Sequence, residues 1–377
     1  MQEKNNQLHA IIKWAGGKEK ELKYILPNSP QNIESYFEPF VGGGSVYTSI
    51  LADKYFINDK SDELINFYSK ISSNDKLFFY YINEITLAWS KMLSYAEKQN
   101  HLVDYYIDFR CNRITINEFN REIEDNTNSN SAFFNTIFDK KDIWQTNLLV
   151  PEVIKNLTRK VSRMYKIELS KGEMPIKDIK DNINTAYMSA LYMHLRTLYN
   201  DKVLLEKNKE LASALFMFIR NYSYSGMFRY NDKGEFNVPF GGIGYNKKSL
   251  SKKINYYKSE KLSSLFSKTK IENLDFEDFL KKYNPNENDF IFLDPPYDSE
   301  FSTYAQNIFD KSDQIRLSKY LINECKSKWM MIIKNTPFIL SLYENSGLNI
   351  DIFDKKYLVS FMNRNNKSAE HLLIRNY

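Results

Sequence analysis

Two successive prolines constrain this chain more than any other feature. Pro295 and Pro296 follow the apolar run Asp289 to Leu293 and stand between Asp294 and Tyr297. A short apolar run of this kind is the pattern of a buried strand. Each proline fixes its own φ and removes a backbone donor, and the residue before it is held extended. The chain therefore leaves a sheet here as a stiff loop carrying a carboxylate, bare carbonyls and an aromatic face. Such a set can grip a planar amine. Asp294 and the Pro295 carbonyl can accept both hydrogens of an exocyclic NH2, and Tyr297 can stack on the ring. A plain proline turn at a strand end is the simpler alternative.

A second strand signal lies near the start. Asn32 to Phe40 predicts a strand ending in Gly42-Gly43-Gly44, and Ser45 then predicts the cap of a helix running to about Asp53. Tyr55 to Ile57 predicts another strand, closing at Asn58-Asp59. A glycine loop between strand and helix lets a ligand approach backbone amides. An acid about 20 residues further on, at the end of the next strand, typically holds ribose hydroxyls. Asp59 lies 17 residues past Gly42. A glycine turn that serves packing alone fits the same residues. Lys13-Trp14-Ala15-Gly16-Gly17-Lys18 adds an aromatic and two lysines around a flexible Gly-Gly, a string that also suits a terminal loop.

Between these ends the rhythm changes. Leu64 to Glu97 looks helical, whereas about 99–183 carries a weaker pattern and reads as an inserted lobe of mixed, mainly helical structure. Asp125 to Ser131 reads as a polar loop. Helical patterning returns over Thr185 to Leu198 and Leu211 to Arg220. Met227 to Phe240 places two aromatic-rich arms around Asp232-Lys233-Gly234, a hairpin signal. Ser312 to Lys326 predicts an amphipathic helix, and Trp329 to Ile333 and His371 to Ile374 predict strands. Strands alternate with helices at both ends, so the expected class is α/β, one largely parallel sheet with a central insertion.

The net charge of +5 is unevenly spread. Lys247 to Lys270 holds eight lysines against Glu260, and Lys155 to Lys180 holds eight Lys/Arg against three acids, which leaves the rest acidic. Two basic stretches on an acidic body suit a polyanion, and a solvated helix face suits them equally. Cys111, Cys325 and the histidines at 9, 101, 194 and 371 fall in no ligand spacing, so no metal is expected. Met1 to Asn5 shows no signal segment, and the apolar run Ala214 to Ile219 is too short to span a bilayer. The expectation is a cytoplasmic protein with reduced thiols.

Taken together, Lys13 to Lys18, Phe37-Glu38-Pro39-Phe40-Val41-Gly42-Gly43-Gly44-Ser45, Phe228 to Asn231 with Gly234 to Gly241, Asp275-Phe276 and Asp294 to Tyr297 resemble the Dam-type DNA adenine N6-methyltransferases, in that family's order. The resemblance implies a Rossmann-like methyltransferase domain over 1–70 and 271–377. It implies a target-recognition region over 71–270, with the extra insert at about 99–183 and a recognition hairpin at 227–241. S-adenosyl-L-methionine would lie among Trp14, Lys18, Glu38, Phe40, Gly42, Gly44, Asp59, Asp275, Phe276 and Asp294, and would leave as S-adenosyl-L-homocysteine. Asp294, Pro295, Pro296 and Tyr297 would hold a flipped adenine for direct displacement. Duplex DNA would meet Met227, Arg229, Asn231, Pro239, Lys247, Lys248, Lys252 and Lys253, with GATC as the leading site. A cognate restriction endonuclease would be a partner; no membrane would be. Cytosine N4, an RNA or protein substrate, and a DNA-binding protein without catalysis are the alternatives. Asp294 disfavours the first, since Ser usually opens the cytosine tetrad.

Overall fold

A computed structural model of the chain describes residues 8–297, 309–356 and 368–377; Met1 to Asn5, with no signal segment expected, lie outside them. The described residues form two compact units, 1–73 with 257–377, and 74–256.

The first unit is built on a seven-stranded sheet. In chain order its strands are β1 (Ile33–Glu38), β2 (Ala52–Asn58), β3 (Thr269–Glu272), β4 (Phe290–Leu293), β5 (Lys328–Lys334), β6 (Asn349–Lys356) and β7 (Ser368–Arg375). Across the sheet they lie in the order β3-β2-β1-β4-β5-β7-β6. The first five are parallel, and β7 runs antiparallel to both β5 and β6. β4 is buried at every position and β5 at all but its ends, as strands covered on both faces must be. One face packs Phe37, Ile291, Leu293, Trp329 and Met331 against Phe279, Leu280, Leu317 and Tyr343.

This order places the site. From β1 the chain steps outward through β2 to β3, and from β4 it steps the other way to β5. β1 and β4 are neighbours, with Tyr36 opposite Phe290 and Phe37 opposite Ile291. The loops leaving their carboxyl ends therefore diverge from a switch point, where open α/β sheets form a crevice. Those loops carry Gly42 to Gly44 and Asp294 to Tyr297.

One local expectation fails beside it. No helix follows Ser45; residues 45–49 form turns. The Thr48 hydroxyl donates to the Gly44 carbonyl at 2.8 Å and the Ser49 hydroxyl to the Ser45 carbonyl at 2.7 Å. The Tyr55 hydroxyl takes the Ile50 carbonyl at 3.1 Å and receives Ala52 N–H at 2.9 Å. Thr48 and Ile50 N–H still make helix-type bonds to the Gly44 and Val46 carbonyls at 3.0 Å, but Ser49 N–H turns to Val46 at 2.8 Å and the run goes no further.

The second unit is helical. Its long helices are Lys76–Ala96, Ile116–Ser129, Leu149–Lys171, Ile176–Asn200 and Lys209–Tyr222. Residues 99–183 contain no strand among the described residues, so the lobe is helical rather than mixed. Asp125 to Ser131 is not a loop either. A capping box between Thr115 and Glu118 starts a helix that buries Phe119, Ile123 and Thr127 at successive turns and continues to Ser129. The Thr127 hydroxyl returns to the Ile123 carbonyl at 2.6 Å, which lets a hydroxyl occupy the inner face. The hairpin survives as isolated bridges, Tyr230 with Phe236 and Ser223 with Phe240, and its arms are not strands.

Candidate functional site

Asp294 to Tyr297 leave β4 from a buried strand end. The Lys18 side chain, 2% exposed, reaches the same place from the N-terminal segment. Its ammonium donates to Asp294 Oδ2 and to the Gly16 carbonyl, the latter at 2.8 Å, and stands 3.4 Å from the Tyr297 hydroxyl. It lies 5.6 Å from the Tyr297 ring centroid. Acceptor and aromatic face thus already hold a group bearing N–H donors. Gln314, fully buried, donates to the Pro296 carbonyl at 2.8 Å and ties the loop down. The Tyr297 ring meets His371 edge-on at 5.4 Å.

The glycine loop is shaped by contacts on all sides. Asp59, at the end of β2, accepts from Gly42 N–H at 3.0 Å and from Ser61 N–H at 3.0 Å. Tyr68 donates its hydroxyl to the Gly42 carbonyl at 3.0 Å. Gly42 and Gly44 have positive φ, +48° and +75°. A Cβ on Gly42 would meet Trp14 Cδ1 at 2.8 Å, so the indole lies directly on the loop. Gly43 is the tightest in backbone terms, because a Cβ there would stand 2.6 Å from the Ile12 carbonyl oxygen. That carbonyl cannot swing away cheaply, since Ile11 N–H and Ile12 N–H both donate to Gly43 O, at 2.9 and 3.5 Å. Gly43→Ala is expected to lower stability by about 1–3 kcal/mol, the usual cost of overpacking. A thermal melt checks it, and an unchanged midpoint would refute the steric account.

Three carboxyls gather at the carboxyl ends of β1, β2 and β4. Glu38 is fully buried, and burial pushes its carboxyl well above the usual range, against a 2.7 Å hydrogen bond from the Tyr36 hydroxyl that lowers it. The nearby Asp294 charge adds to the rise. Asp59 is pushed up to about 6, again chiefly by burial, while the Ser61 and Gly42 amides oppose it. Glu38, whose charged form burial disfavours, and a poised Asp59 at the same strand ends as the Lys18–Asp294 pair form a site that electrostatics can still alter when a charged ligand enters.

Phe40 and Phe276 meet at 5.7 Å, and Phe309 closes on both at 5.5 and 5.7 Å. Asp275 caps the helix Phe276–Tyr283 and forms a two-pronged pair with Arg316, at 2.7 and 2.9 Å. Burial raises the Asp275 carboxyl, but the Arg316 hydrogen bonds and charge, with the Glu277 amide and the Lys60 charge, together outweigh it and hold it below the usual range. The Arg316 guanidinium also lies 4.4 Å over the Phe276 ring. Sequence reasoning missed Arg316, Gln314, Tyr36 and Tyr68. The first two sit in an amphipathic helix and the others in an apolar strand and helix, where no motif distinguishes them.

In the helical unit, Arg229 is exposed and its Nε donates to Asn237 Oδ1 at 2.9 Å, which fixes the plane of the guanidinium. Pro239 is also exposed and Met227 half-buried. Two expected DNA contacts are otherwise engaged. Asn231 shapes the turn: its Oδ1 accepts from Lys233 and Glu235 N–H at 3.1 and 2.9 Å, and its Nδ2 donates to Glu235 at 3.0 Å. Lys248 donates to the Asn221 carbonyl and lies 4.5 Å over the Tyr245 ring, an anchored position rather than a phosphate arm. Lys247 and Lys252 are exposed, and Lys253 is half-buried. Among the described residues no helix is long and apolar enough to cross a membrane.

Known proteins share this arrangement of sequence. The family model described as D12 class N6 adenine-specific DNA methyltransferase matches residues 14–153 and 152–361. The type II methyltransferase M.CviBI of Paramecium bursaria Chlorella virus NC1A is 36% identical over 169 residues, 44% of this chain and 61% of that protein. The type II methyltransferase M.MjaIII of Methanocaldococcus jannaschii is 26% identical over 390 residues, 98% of this chain and 100% of that protein. A DNA adenine methylase of Vibrio cholerae is 22% identical over 350 residues, 90% of this chain and 87% of the relative.

Proposed function

The chain belongs to the D12 class N6 adenine-specific DNA methyltransferases, and we propose that it uses S-adenosyl-L-methionine to methylate adenine N6 in duplex DNA at a short site containing a GA step, GATC foremost. The observation that carries the chemistry is the Lys18 ammonium held by Asp294 beside the Tyr297 ring. It marks an acceptor arranged for N–H donors at the edge of an aromatic face. The cofactor assignment rests on the glycine loop, whose amides a ligand can approach because Cβ atoms are absent there, and on the Asp59 carboxylate beyond it.

When bound, the cofactor supplies an electrophilic methyl on its sulfonium and leaves as S-adenosyl-L-homocysteine. Asp59 would accept ribose hydroxyls, and Trp14, Glu38 and Phe40 with the glycine loop would enclose the rest. The Phe40, Phe276 and Phe309 rings offer faces for the cofactor adenine, with Asp275 oriented by Arg316. The target adenine leaves the duplex stack to reach Asp294. Its amine is a poor nucleophile because its lone pair is delocalised into the ring. Asp294 and the Pro295 carbonyl accept its hydrogens and favour a tetrahedral nitrogen, while Tyr297 stacks on the ring. Positioning and electrostatics carry the rate.

Methylated DNA digested to nucleosides and read by mass spectrometry tests this directly. N6-methyladenine is expected; N4-methylcytosine alone, or no methylated base, would overturn it. Cofactor affinity has its own test. A ribose hydroxyl is best accepted by an ionised carboxylate, so binding favours the charged form of Asp59. With the empty-site value about 6, about a tenth of the carboxyl is ionised at pH 5. Affinity is therefore expected to fall about tenfold from pH 7.5 to pH 5. Asp59→Asn should bind more weakly and lose that dependence, which separates Asp59 from the more deeply buried Glu38. Titration calorimetry at the two pH values reads both, and a wild type insensitive to pH would sink the assignment.

A further inference from the structure

The helix Leu149–Lys171 carries a row of cations whose use the site does not explain. It buries Leu149, Val153, Leu157, Val161 and Met164 within its unit. The face turned outward bears Lys155, Arg159, Arg163 and Lys166, all exposed. They recur every three or four residues, so they line one side of the helix. At about 1.5 Å per residue the row is about 16 Å long. Lys155 pairs with Glu152 at 3.0 Å, whereas among the described residues no ion pair is formed by Arg159, Arg163 or Lys166. The neighbouring Lys160 has its pKa lowered, first by burial and then by the Arg163 charge. Like charges thus crowd each other on this side of the helix. The helix also starts near the hairpin. Ser189 of the adjoining helix Ile176–Asn200 donates to Asn156 at 3.0 Å. Further along that same helix, Tyr192 donates to the Val238 carbonyl at 3.0 Å and Asn200 to the Phe236 carbonyl at 3.0 Å.

We infer that Arg159, Arg163 and Lys166 form a phosphate-binding surface that grips duplex DNA flanking the methylated site, independent of base sequence. This rests on the chain acting on duplex DNA. The charge is complementary, Arg159, Arg163 and Lys166 form no ion pair among the described residues, and their spacing along a rigid helix suits a repeating anion better than a single ligand. Phosphate contacts of this kind set affinity and its salt dependence but read no base.

The test is duplex binding by the full chain, measured against salt concentration, for wild type and the variant Arg159→Gln/Arg163→Gln/Lys166→Gln. Each phosphate contact contributes about 0.9 to the slope of log affinity against log salt, so losing three should flatten it by about 2.7. The loss should be equal on duplexes with and without the methylated site, with turnover at saturating DNA and the melting midpoint unchanged. Arg159→Lys/Arg163→Lys keeps the charges and should keep the slope, which guards against a folding artefact. An unchanged slope in the Gln variant overturns the inference, as does a loss confined to RNA. Failure of wild type to methylate adenine would strike the proposed function instead, because the salt slope is read from binding alone.

Discussion

Asp294→Asn is expected to lower methyl transfer by about 10³-fold, the scale of losing one preorganised electrostatic group, while cofactor affinity stays within a few-fold. The substitution keeps the shape and an oxygen that can still accept from Lys18, but removes the charge. The choice of Asn over Ala matters because of Lys18. Its ammonium is 2% exposed and donates to Asp294. Ala would remove the acceptor as well as the charge and leave the buried ammonium with neither, which typically costs about 3–5 kcal/mol. Asp294→Ala alone would then confuse lost folding with lost chemistry. Adding Lys18→Met to Asp294→Ala separates them: the melting midpoint should recover, and turnover should not. Single-turnover kinetics with a thermal melt on each variant reads both effects. Turnover within tenfold of wild type in Asp294→Asn, or restored by Lys18→Met, would show that the carboxylate serves the fold and not the amine.

The strand ends were legible in the sequence because their constraints are local. A diproline after a four-residue apolar strand and a glycine triplet after another restrict the backbone wherever they occur, and β1 and β4 lie where those patterns put them. Their adjacency was not legible, since only pairing across a chain separation of 291 − 37 = 254 residues brings Phe37 opposite Ile291 (roughly the whole insertion lies between). The helix expected after Ser45 stops at turns: Thr48 and Ile50 N–H still make helix-type bonds to the Gly44 and Val46 carbonyls, but Ser49 N–H turns to Val46 at 2.8 Å, and the Tyr55 hydroxyl takes the Ile50 carbonyl. Asp125 to Ser131 misled in the opposite direction. Its asparagines and serines look like a loop, but the capping box and the buried Phe119, Ile123 and Thr127 carry the helix through them. In the site, the sequence exposed the acids and not the groups that aim them. Arg316 on Asp275 and Gln314 on Pro296 are tertiary contacts made by an otherwise ordinary helix. Lys18 was placed with the cofactor, and only its position shows it bound to Asp294.

Arg229→Ala is expected to relax selectivity at one guanine of the site by about 1–3 kcal/mol, roughly 5- to 150-fold. The guanidinium fork matches the O6 and N7 acceptors of guanine, the commonest specific pairing in the major groove. Two features of the structure favour Arg229 for that role over its neighbours. It is exposed, whereas Asn231 spends its amide on the turn. Its Nε is held by Asn237 at 2.9 Å, so the fork is oriented before any base arrives. Pre-orientation predicts a graded result. Asn237→Ala should lose part of the same discrimination, because the fork survives without its brace. Turnover at saturating cognate DNA and cofactor affinity should hold in both variants, since Asp294 and Asp59 belong to the other compact unit. Methylome sequencing of cells expressing each protein reads selectivity at every position at once. A wild-type motif with no guanine beside the methylated adenine would remove the base from Arg229. Full selectivity in Arg229→Ala would remove the residue from base reading and leave it, with the row on Leu149–Lys171, as a phosphate contact.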